Sequence, residues 1–478
     1  MKVVVIGAGP AGLTAAYQLA KHIGKGVEKV DVYEANSYVG GMSTSLQLWN
    51  QRVDLGPHRF FSNDETVNKL WLEVVGNEYD MVKRLTRIYY NKKFFYYPLK
   101  PFNALKNLGT WEAIRCVASY IPQKVGLNKQ NPNTFEGWVT QKFGKRLFNI
   151  FFKTYTEKLW GIPCDTLDAD FATQRIKKLS LSEAILSAIN LIDNKKHKTL
   201  VDEFAYPKYG SGYVYEQMRL QCERMGVKIH LKTPVYSIKT ENNAVKGVVL
   251  QNNAFVPADV VVSSMPLSVL VSHIPDLPIT LKEKVAQLKY RNTILVYLNV
   301  NSDNLFPDQW IYVHDSQLQT GRITNFRNWL PELYGKEKTS VLCMEYWCYD
   351  EDDVWNLSEQ ELVQLALKEL YKTGLVPQNI TVSDGKVIKL HRSYPVYFKN
   401  YKEVLEPVQE YVSRIANLYA IGRYGAYKYN NQDHSILMGI KAAENVLGIS
   451  NHNLWEVNTD YDTYQEKTII TKTGLVKE

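Results

Sequence analysis

No run of about eighteen apolar residues occurs in the 478-residue chain, so no segment is expected to cross a membrane. Its five cysteines, Cys116, Cys164, Cys222, Cys343 and Cys348, are odd in number and scattered. No CxxC or Cys/His grouping has metal-ligand spacing, which excludes a disulfide framework and a zinc site and implies reduced thiols. No metal is expected. Zinc-finger, RNA-binding and helix-turn-helix signatures are missing, so nucleic acid is not an expected partner. Internal repeats and low-complexity tracts are missing too. The chain enters a strand-like run at once with no leader pattern before it, and the expectation is a cytoplasmic protein.

The length is enough for a large core and two or three lobes. Hydrophobic residues make up 45% and charged residues 22%, an ordinary globular balance. Net charge is +8, with charges spread rather than in runs, a bias that by itself suits an anionic small ligand as well as nucleic acid. Aromatics reach 12%, with 32 tyrosines, which suits a pocket that packs against a ligand and hydrogen-bonds to it.

The most informative stretch is the first forty-odd residues. Lys2–Ile6 is a β-branched run read as a buried strand; Gly7-Ala8-Gly9-Pro10-Ala11-Gly12 follows, then a helical pattern through Ala20. Gly7 permits a tight turn, Gly9 lets the backbone approach a pyrophosphate, and Gly12 lets helix and strand pack closely. The helix start points unpaired N–H groups at the anion. A second strand, Lys29–Tyr33, ends in Glu34, whose carboxylate is placed to bind ribose hydroxyls. Ala35 follows it, and Gly40-Gly41-Met42-Ser43 adds a second glycine turn near the same phosphates.

Further on, Gly56-Pro57-His58-Arg59-Phe60-Phe61 is an abrupt turn, and Arg87–Tyr97 reads as a hairpin around Asn91-Lys92-Lys93. Helical spacing dominates from Phe102 to about Asn194, with helices expected over Phe135–Tyr155 and Ser182–Ile192. Val227–Ser264 is strand and turn in alternation, returning to the nucleotide domain. Residues 285–400 hold alternating strands (Thr293–Val300, Gln309–Val313, Thr339–Tyr346) and a helix over Ser358–Tyr371. Leu418–Arg423 reads as a buried strand, Ser435–Leu447 as a helix, and the polar tail from about Asn451 as peripheral. The fold class is α/β: a Rossmann-like nucleotide-binding domain (FAD-binding, by family resemblance) with an inserted helical domain and a mainly antiparallel β-sheet substrate domain. The expected limits are 1–93, 201–275 and 406–450 for the FAD-binding parts, 94–200 for the helical insertion, 276–405 for the substrate sheet and 451–478 for the tail.

The N-terminal motif resembles the FAD-binding superfamily of amine oxidases, protoporphyrinogen oxidases and UDP-galactopyranose mutases. Four later motifs narrow the likeness: GPHRFF (56–61), YTEKLWGIP (155–163), Gly321-Arg322-Ile323, and the run from Gly422-Arg423 to Asn431-Gln432-Asp433-His434-Ser435. Together they are similar to UDP-galactopyranose mutases over nearly the whole chain. That resemblance implies FAD, active in its reduced form, whose N5 attacks the anomeric carbon of a nucleotide-diphosphate sugar and releases the diphosphate. The flavin–sugar adduct then lets the ring open and reclose as the furanose. NAD(P)H is left as a transient reductant, because no separate nicotinamide fold is visible, and a homo-oligomer is left open.

The same resemblance implies site residues. Gly7, Gly9, Pro10, Ala11, Gly12, Glu34, Ala35, Gly40, Gly41, Met42, Ser43, Gly56, Pro57, His58, Gly422, Arg423, Asn431, Gln432, His434 and Ser435 are expected at the cofactor. His58, Arg322 and Arg423 are expected to be catalytic; Tyr97, Trp160, Arg175, Tyr312, Arg322, Tyr394, Arg423 and Tyr429 are expected at the substrate. Arginine and tyrosine suit a diphosphate leaving group. Departures fall on base recognition, where Leu99 and Lys100 replace an aromatic and a glutamine and Thr156 an asparagine, and beside the flavin histidine, where Pro57 replaces a glycine. The diphosphate and flavin machinery is retained while base recognition has changed, so the expectation is another nucleotide sugar, such as a dTDP- or GDP-linked one, rather than UDP-galactose. The rival readings are an oxidase or desaturase on the same fold and a flavin-binding protein without activity. Phe94–Val125 is aromatic and basic enough to lie on a bilayer surface; a pocket wall and helical core is the plainer reading of it.

Overall fold

The computed structural model describes residues 1–97, 99, 101–124, 130–172, 203–275, 277–457 and 468–477. Five strands form a wholly parallel sheet in the order Leu418–Ala420, Val260–Ser263, Lys2–Ile6, Lys29–Tyr33, Lys228–His230. Its members come from three distant parts of the sequence, 2–33, 228–263 and 418–420. The central Lys2–Ile6 and Val260–Ser263 are almost wholly buried, as their β-branched composition requires for a sheet covered on both faces. Helix Pro10–Ala20 leaves the first strand without a side-chain cap and without an acid in its first turn. Helix Gln432–Val446 crosses it so tightly that a Cβ on Gly439 would sit 2.5 Å from the Ala11 carbonyl oxygen.

A second, seven-stranded sheet runs Val382–Pro395, Tyr290–Val300, Ser340–Cys348, Arg322–Asn325, Trp310–Val313, Thr86–Tyr90, Lys93–Tyr96. It is antiparallel throughout except where Trp310–Val313 meets Thr86–Tyr90 in parallel. All eleven residues of Tyr290–Val300 are buried, so this strand is the spine of the lobe. Helix Glu359–Thr373 packs on the sheet; Ser358 and Glu361 close a capping box at its start, and left-handed Gly374 ends it. The mixed α/β architecture expected from the sequence, a parallel nucleotide sheet beside a mainly antiparallel one, is therefore present.

Helices Pro101–Leu108, Thr110–Lys124, Phe135–Phe143, Lys145–Phe148 and Thr154–Trp160 form the helical part. The single helix expected over Phe135–Tyr155 is broken at Gly144, whose φ of +84° turns the chain. A Cβ there would press 3.0 Å from the backbone of Tyr120, so the break follows from close approach of two helices. The expected helix Ser182–Ile192 lies outside the described residues.

Two further readings need correction. The strand expected through Arg423 stops at Ala420, because Gly422 takes φ +78° and starts the short helix Gly422–Gly425. The tail is not merely peripheral: Thr468–Thr471 and Gly474–Lys477 form a hairpin in which Thr468 is wholly buried. Asn68 Nδ2 donates to the carbonyl oxygens of Ser62 and Thr468 and to the Thr468 hydroxyl, at 3.1–3.2 Å. This amide pins the hairpin to the segment that follows GPHRFF.

Candidate functional site

At the C-terminal edge of the parallel sheet the glycine turns make a cradle. Gly7 has φ +93° and donates its N–H to the Tyr33 carbonyl at 2.8 Å. A Cβ on Gly12 would lie 2.0 Å from the Gly7 oxygen, so only glycine allows this strand–helix approach. Gly9 faces Gly41 across the cradle; a Cβ on Gly41 would stand 3.2 Å from the Gly9 Cα. The uncapped start of helix Pro10–Ala20 opens here, and its N–H groups and dipole favour an anion. The backbone is shaped for a phosphate to pass between two glycine turns, so these residues fit a dinucleotide.

Glu34 is buried, and its carboxylate accepts from Ala8 N at 2.7 Å and from Asn36 N and Nδ2 at 2.8 and 2.7 Å. Those three donors fix its orientation and leave about one acceptor position of the carboxylate's four for a ribose hydroxyl. Ala35 is exposed beside it, Met42 is half-buried, and Ser43 is buried in the second glycine turn.

Three segments bring His58, Arg322 and Arg423 together: the loop after Gln51–Asp54, the strand Arg322–Asn325 of the sheet lobe, and the helix Gly422–Gly425 after the parallel sheet. Both guanidiniums act on His58: burial and the charges of Arg423 and Arg322 push its imidazole down to about 3, so the ring is neutral. Its buried Nδ1 has no hydrogen-bond partner among the described residues. Gly56 and Pro57 lead into it; the left-handed Gly56 (φ +93°) packs against Glu345. Gln432 spans the loop from behind, donating to the His58 carbonyl (3.4 Å) and the Ser211 hydroxyl (3.1 Å) while accepting from Tyr215 (2.8 Å). Its amide thus holds the loop that carries His58. Asn431 is the N-cap residue of helix Gln432–Val446; its N–H donates to His434 Nδ1 at 3.2 Å, and Ser435 Oγ donates back to its carbonyl at 3.0 Å.

Arg423 lies over two parallel rings. Its guanidinium stands 5.1 Å from the Tyr394 ring and 5.2 Å from that of Tyr429, which stack at 5.5 Å. Nε donates to Asn430 O at 2.8 Å, fixing the side chain while leaving other N–H groups of the fork. Trp160, wholly buried, backs this pair at 5.6 Å from Tyr429 and 6.4 Å from Tyr394. Its indole is therefore a buried wall of the aromatic stack. Tyr312 meets Tyr97 at 5.0 Å and Tyr155 at 5.3 Å, edge to face in both cases. Arg175 lies outside the described residues.

Several supporting residues escaped the sequence reading. Glu345 takes Arg322 in a two-point ion pair, Nε to Oε1 at 2.6 Å and Nη2 to Oε2 at 2.5 Å. The signal was available: Glu345 is the only charged residue in the buried strand Ser340–Cys348, and a charge there needs a partner. Arg291, 4% exposed at its side chain, donates to the carbonyls of Lys158, Leu159 and Trp347 and so closes the end of helix Thr154–Trp160. Tyr349 OH adds a bond to the Trp160 carbonyl at 2.7 Å. Lys158 Nζ donates to three carbonyls, of Val313, Asp315 and Thr320, and burial draws its pKa down to about 8.

A parallel sheet with a phosphate cradle, joined to a sheet lobe, with Arg322 from the lobe and Arg423 from the helix after Leu418–Ala420 both acting on His58, defines a flavin-enzyme class of fold. Residues 10–447 match the sequence model of the family described as flavin containing amine oxidoreductase, and the chain belongs to that family. The computed structure is similar to a crystal structure of reduced UDP-galactopyranose mutase, with a TM-score of 0.83 at 22% identity over 96% of this chain and 99% of that one. A redesigned putrescine oxidase shares the fold at a TM-score of 0.60 and 16% identity, covering 94% and 99% of the two chains. Among curated proteins, a 1-hydroxycarotenoid 3,4-desaturase of Flavobacterium sp. (strain P99-3) is 26% identical over 291 residues, 55% of this chain and 56% of that protein. A probable UDP-galactopyranose mutase of Klebsiella pneumoniae is 30% identical over 179 residues, 35% of this chain and 43% of that protein. The chain thus spans about half the length of the curated relatives it matches.

Proposed function

We propose that the protein is an FAD-dependent nucleotide-sugar mutase interconverting pyranose and furanose forms. The observation that carries this reading is the pair of guanidiniums, Arg322 and Arg423, converging on a neutral His58 beside the tyrosines Tyr394 and Tyr429. A pocket built this way suits a doubly charged diphosphate more than an amine or a hydrocarbon.

The glycine turns and the start of helix Pro10–Ala20 would hold the FAD pyrophosphate, and Glu34 its ribose. When bound and reduced, the flavin supplies the nucleophile for carbon one of the sugar. This chain's own residues bind and stabilise the leaving group. Arg423 presents the free side of its fork; Arg322, fixed by Glu345, presents Nη1. Tyr394, Tyr429 and Tyr312 donate hydroxyls to phosphate oxygens, with Tyr97 at the rim and Trp160 behind the sugar. His58 remains uncharged and adds no third cation beside the flavin. Arg175 completes the substrate set by resemblance.

The second reading, an oxidase or desaturase, draws on the relatives of that kind. An amine substrate suits this chain poorly, because the aromatic pair Tyr394/Tyr429 already carries a guanidinium where an amine cation would sit. The test is to reduce the holoenzyme with dithionite or NAD(P)H and offer UDP-, dTDP- and GDP-linked sugars. Furanose product without net oxidation supports the mutase. Hydrogen peroxide formation at turnover, with no furanose from any nucleotide sugar, overturns it.

A further inference from the structure

Helix Thr110–Lys124 has its apolar side on the outside. Trp111 is 78% exposed, Ile114 53%, Val117 39% and Ile121 55%. At 100° per residue these fall on one face, with the exposed Ala118 between them. The opposite face is the one that packs inward: Cys116 is buried, and Glu112 is held by Arg146. Near the helix, Tyr96 and Tyr97 are 40% and 42% exposed. An apolar stripe of this length on a water-facing helix marks a contact surface.

The charge of the chain is concentrated around it. Residues 86–160 hold thirteen Lys and Arg against three Asp and Glu, a surplus of ten. The whole chain's surplus is eight, so the other 403 residues sum to −2. Several of these cations point outward: Lys92, Lys93, Lys106, Arg115, Lys142 and Lys153 are exposed. Two of the three acids, Glu112 and Glu136, are already paired with arginine or lysine of the same segment.

We propose that this face docks on an anionic bilayer surface, with helix Thr110–Lys124 lying in the plane of the headgroups and Trp111, Ile114 and Ile121 inserted below them. An exposed apolar stripe with a basic surround is the pattern of an in-plane helix, and each cation near an anionic leaflet adds attraction. The same charge opposes a second copy of this chain on that face, since two surfaces of like charge would meet. Nucleic acid would gain from the lysines but gives isoleucine and valine nothing to bury against. The surface also adjoins the site: Tyr97, on its edge, contacts Tyr312 at 5.0 Å. Docking therefore brings the mouth of the aromatic pocket to headgroup level.

The test is sedimentation of the flavin-loaded protein with vesicles of pure phosphatidylcholine and of phosphatidylcholine with about one third phosphatidylglycerol. Two double variants accompany it, Trp111→Ser with Ile114→Ser, and Lys106→Glu with Arg115→Glu, all at exposed positions and each checked for an unchanged melting curve. The expected result is partitioning at least tenfold stronger onto the anionic vesicles. Each double variant should lower it at least tenfold, and wild-type tryptophan emission should move to shorter wavelength on binding. No partitioning onto either vesicle, or partitioning that both variants retain, overturns the proposal. So does concentration-dependent self-association, seen by light scattering, that the Trp111→Ser/Ile114→Ser variant abolishes while vesicles have no effect.

Discussion

Arg322 and Glu345 stand directly opposite each other on paired antiparallel strands, and their side chains close a two-point ion pair at 2.5 and 2.6 Å. The carboxylate is 2% exposed and the guanidinium 16%. Glu345 holds the guanidinium well above its ordinary pKa against the opposing effect of burial. The pair therefore fixes the plane of the arginine at the site wall, and the two residues are best treated as one device.

Glu345→Gln should strand a buried guanidinium without its counter-charge. Breaking such a pair costs about 3–5 kcal/mol. Denaturant unfolding of the flavin-loaded protein should show a loss of that order. Arg322→Lys, which keeps charge but loses the fork, should fold better than Glu345→Gln and still bind nucleotide diphosphates more weakly. Equal stability of Glu345→Gln and wild type would contradict this account of the pair.

Arg423→Ala tests the substrate role separately. Its ties are two backbone carbonyls, Asn430 O at 2.8 Å and the longer Ser393 O at 3.4 Å, so the fold and flavin content should survive. If the fork grips the leaving group, kcat/KM with the active nucleotide sugar should fall at least 100-fold, or about 2.7 kcal/mol of transition-state stabilisation. Absorbance near 450 nm monitors the flavin in the same preparation.

His58 is held neutral, with its pKa down at about 3 against an ordinary 6.5. Between those values the unfolded chain binds a proton at this position and the folded one does not. The stability contributed is present above pH 6.5 and is lost as pH falls towards 3. An NMR titration from pH 8 to 5 should leave the His58 ring signals unmoved, and no limb of the pH–rate profile in that range should disappear in His58→Phe.

Gly12→Ala places a methyl 2.0 Å from the Gly7 carbonyl oxygen, a backbone atom that cannot swing aside. The expected outcome is purified protein with little or no flavin, read from the ratio of absorbance at 450 and 280 nm. Gly24→Ala supplies the control for an ordinary glycine loss: its Cβ meets nothing within 4 Å, although its φ of +82° carries a backbone cost.

Asn68 joins the tail hairpin to the loop after GPHRFF through three hydrogen bonds. Asn68→Ala should cost about 1–3 kcal/mol for the acceptors it leaves buried. Because Phe60 and Phe61 lie beside this junction, limited proteolysis should cut the 56–64 segment faster in the variant. An unchanged cleavage rate would show that the loop stands without the tail.

Local chemistry explains what was legible in the sequence. Strands Lys2–Ile6 and Lys29–Tyr33 and the first helix through Ala20 carry their signals within a few residues: β-branched runs, a glycine turn, a periodic apolar face. The antiparallel lobe was visible through alternation, although Tyr290–Val300 began three residues earlier than expected. What stayed hidden depends on partners far away in the chain. The ends at Gly144 and Gly422 are set by positive φ that a lone glycine does not announce. Glu345 had a readable sign, a charge in an apolar strand, but its mate lies 23 positions back and only the strand pairing brings them together. The place of Gln432 at the cofactor is expected from its motif alone; its bonds to His58, Ser211 and Tyr215 become visible only when three segments meet. Thr468 looked like part of a polar tail because its partner is 400 positions earlier.

The parallel sheet takes one of its two edge strands from Leu418–Ala420, and the segment after GPHRFF is fastened by Thr468. The coenzyme cradle near residue 9 therefore rests on segments some 400 positions away: removing Leu418–Ala420 would leave the Val260–Ser263 edge of the sheet unpaired, and removing Thr468 would untie the loop below the cradle.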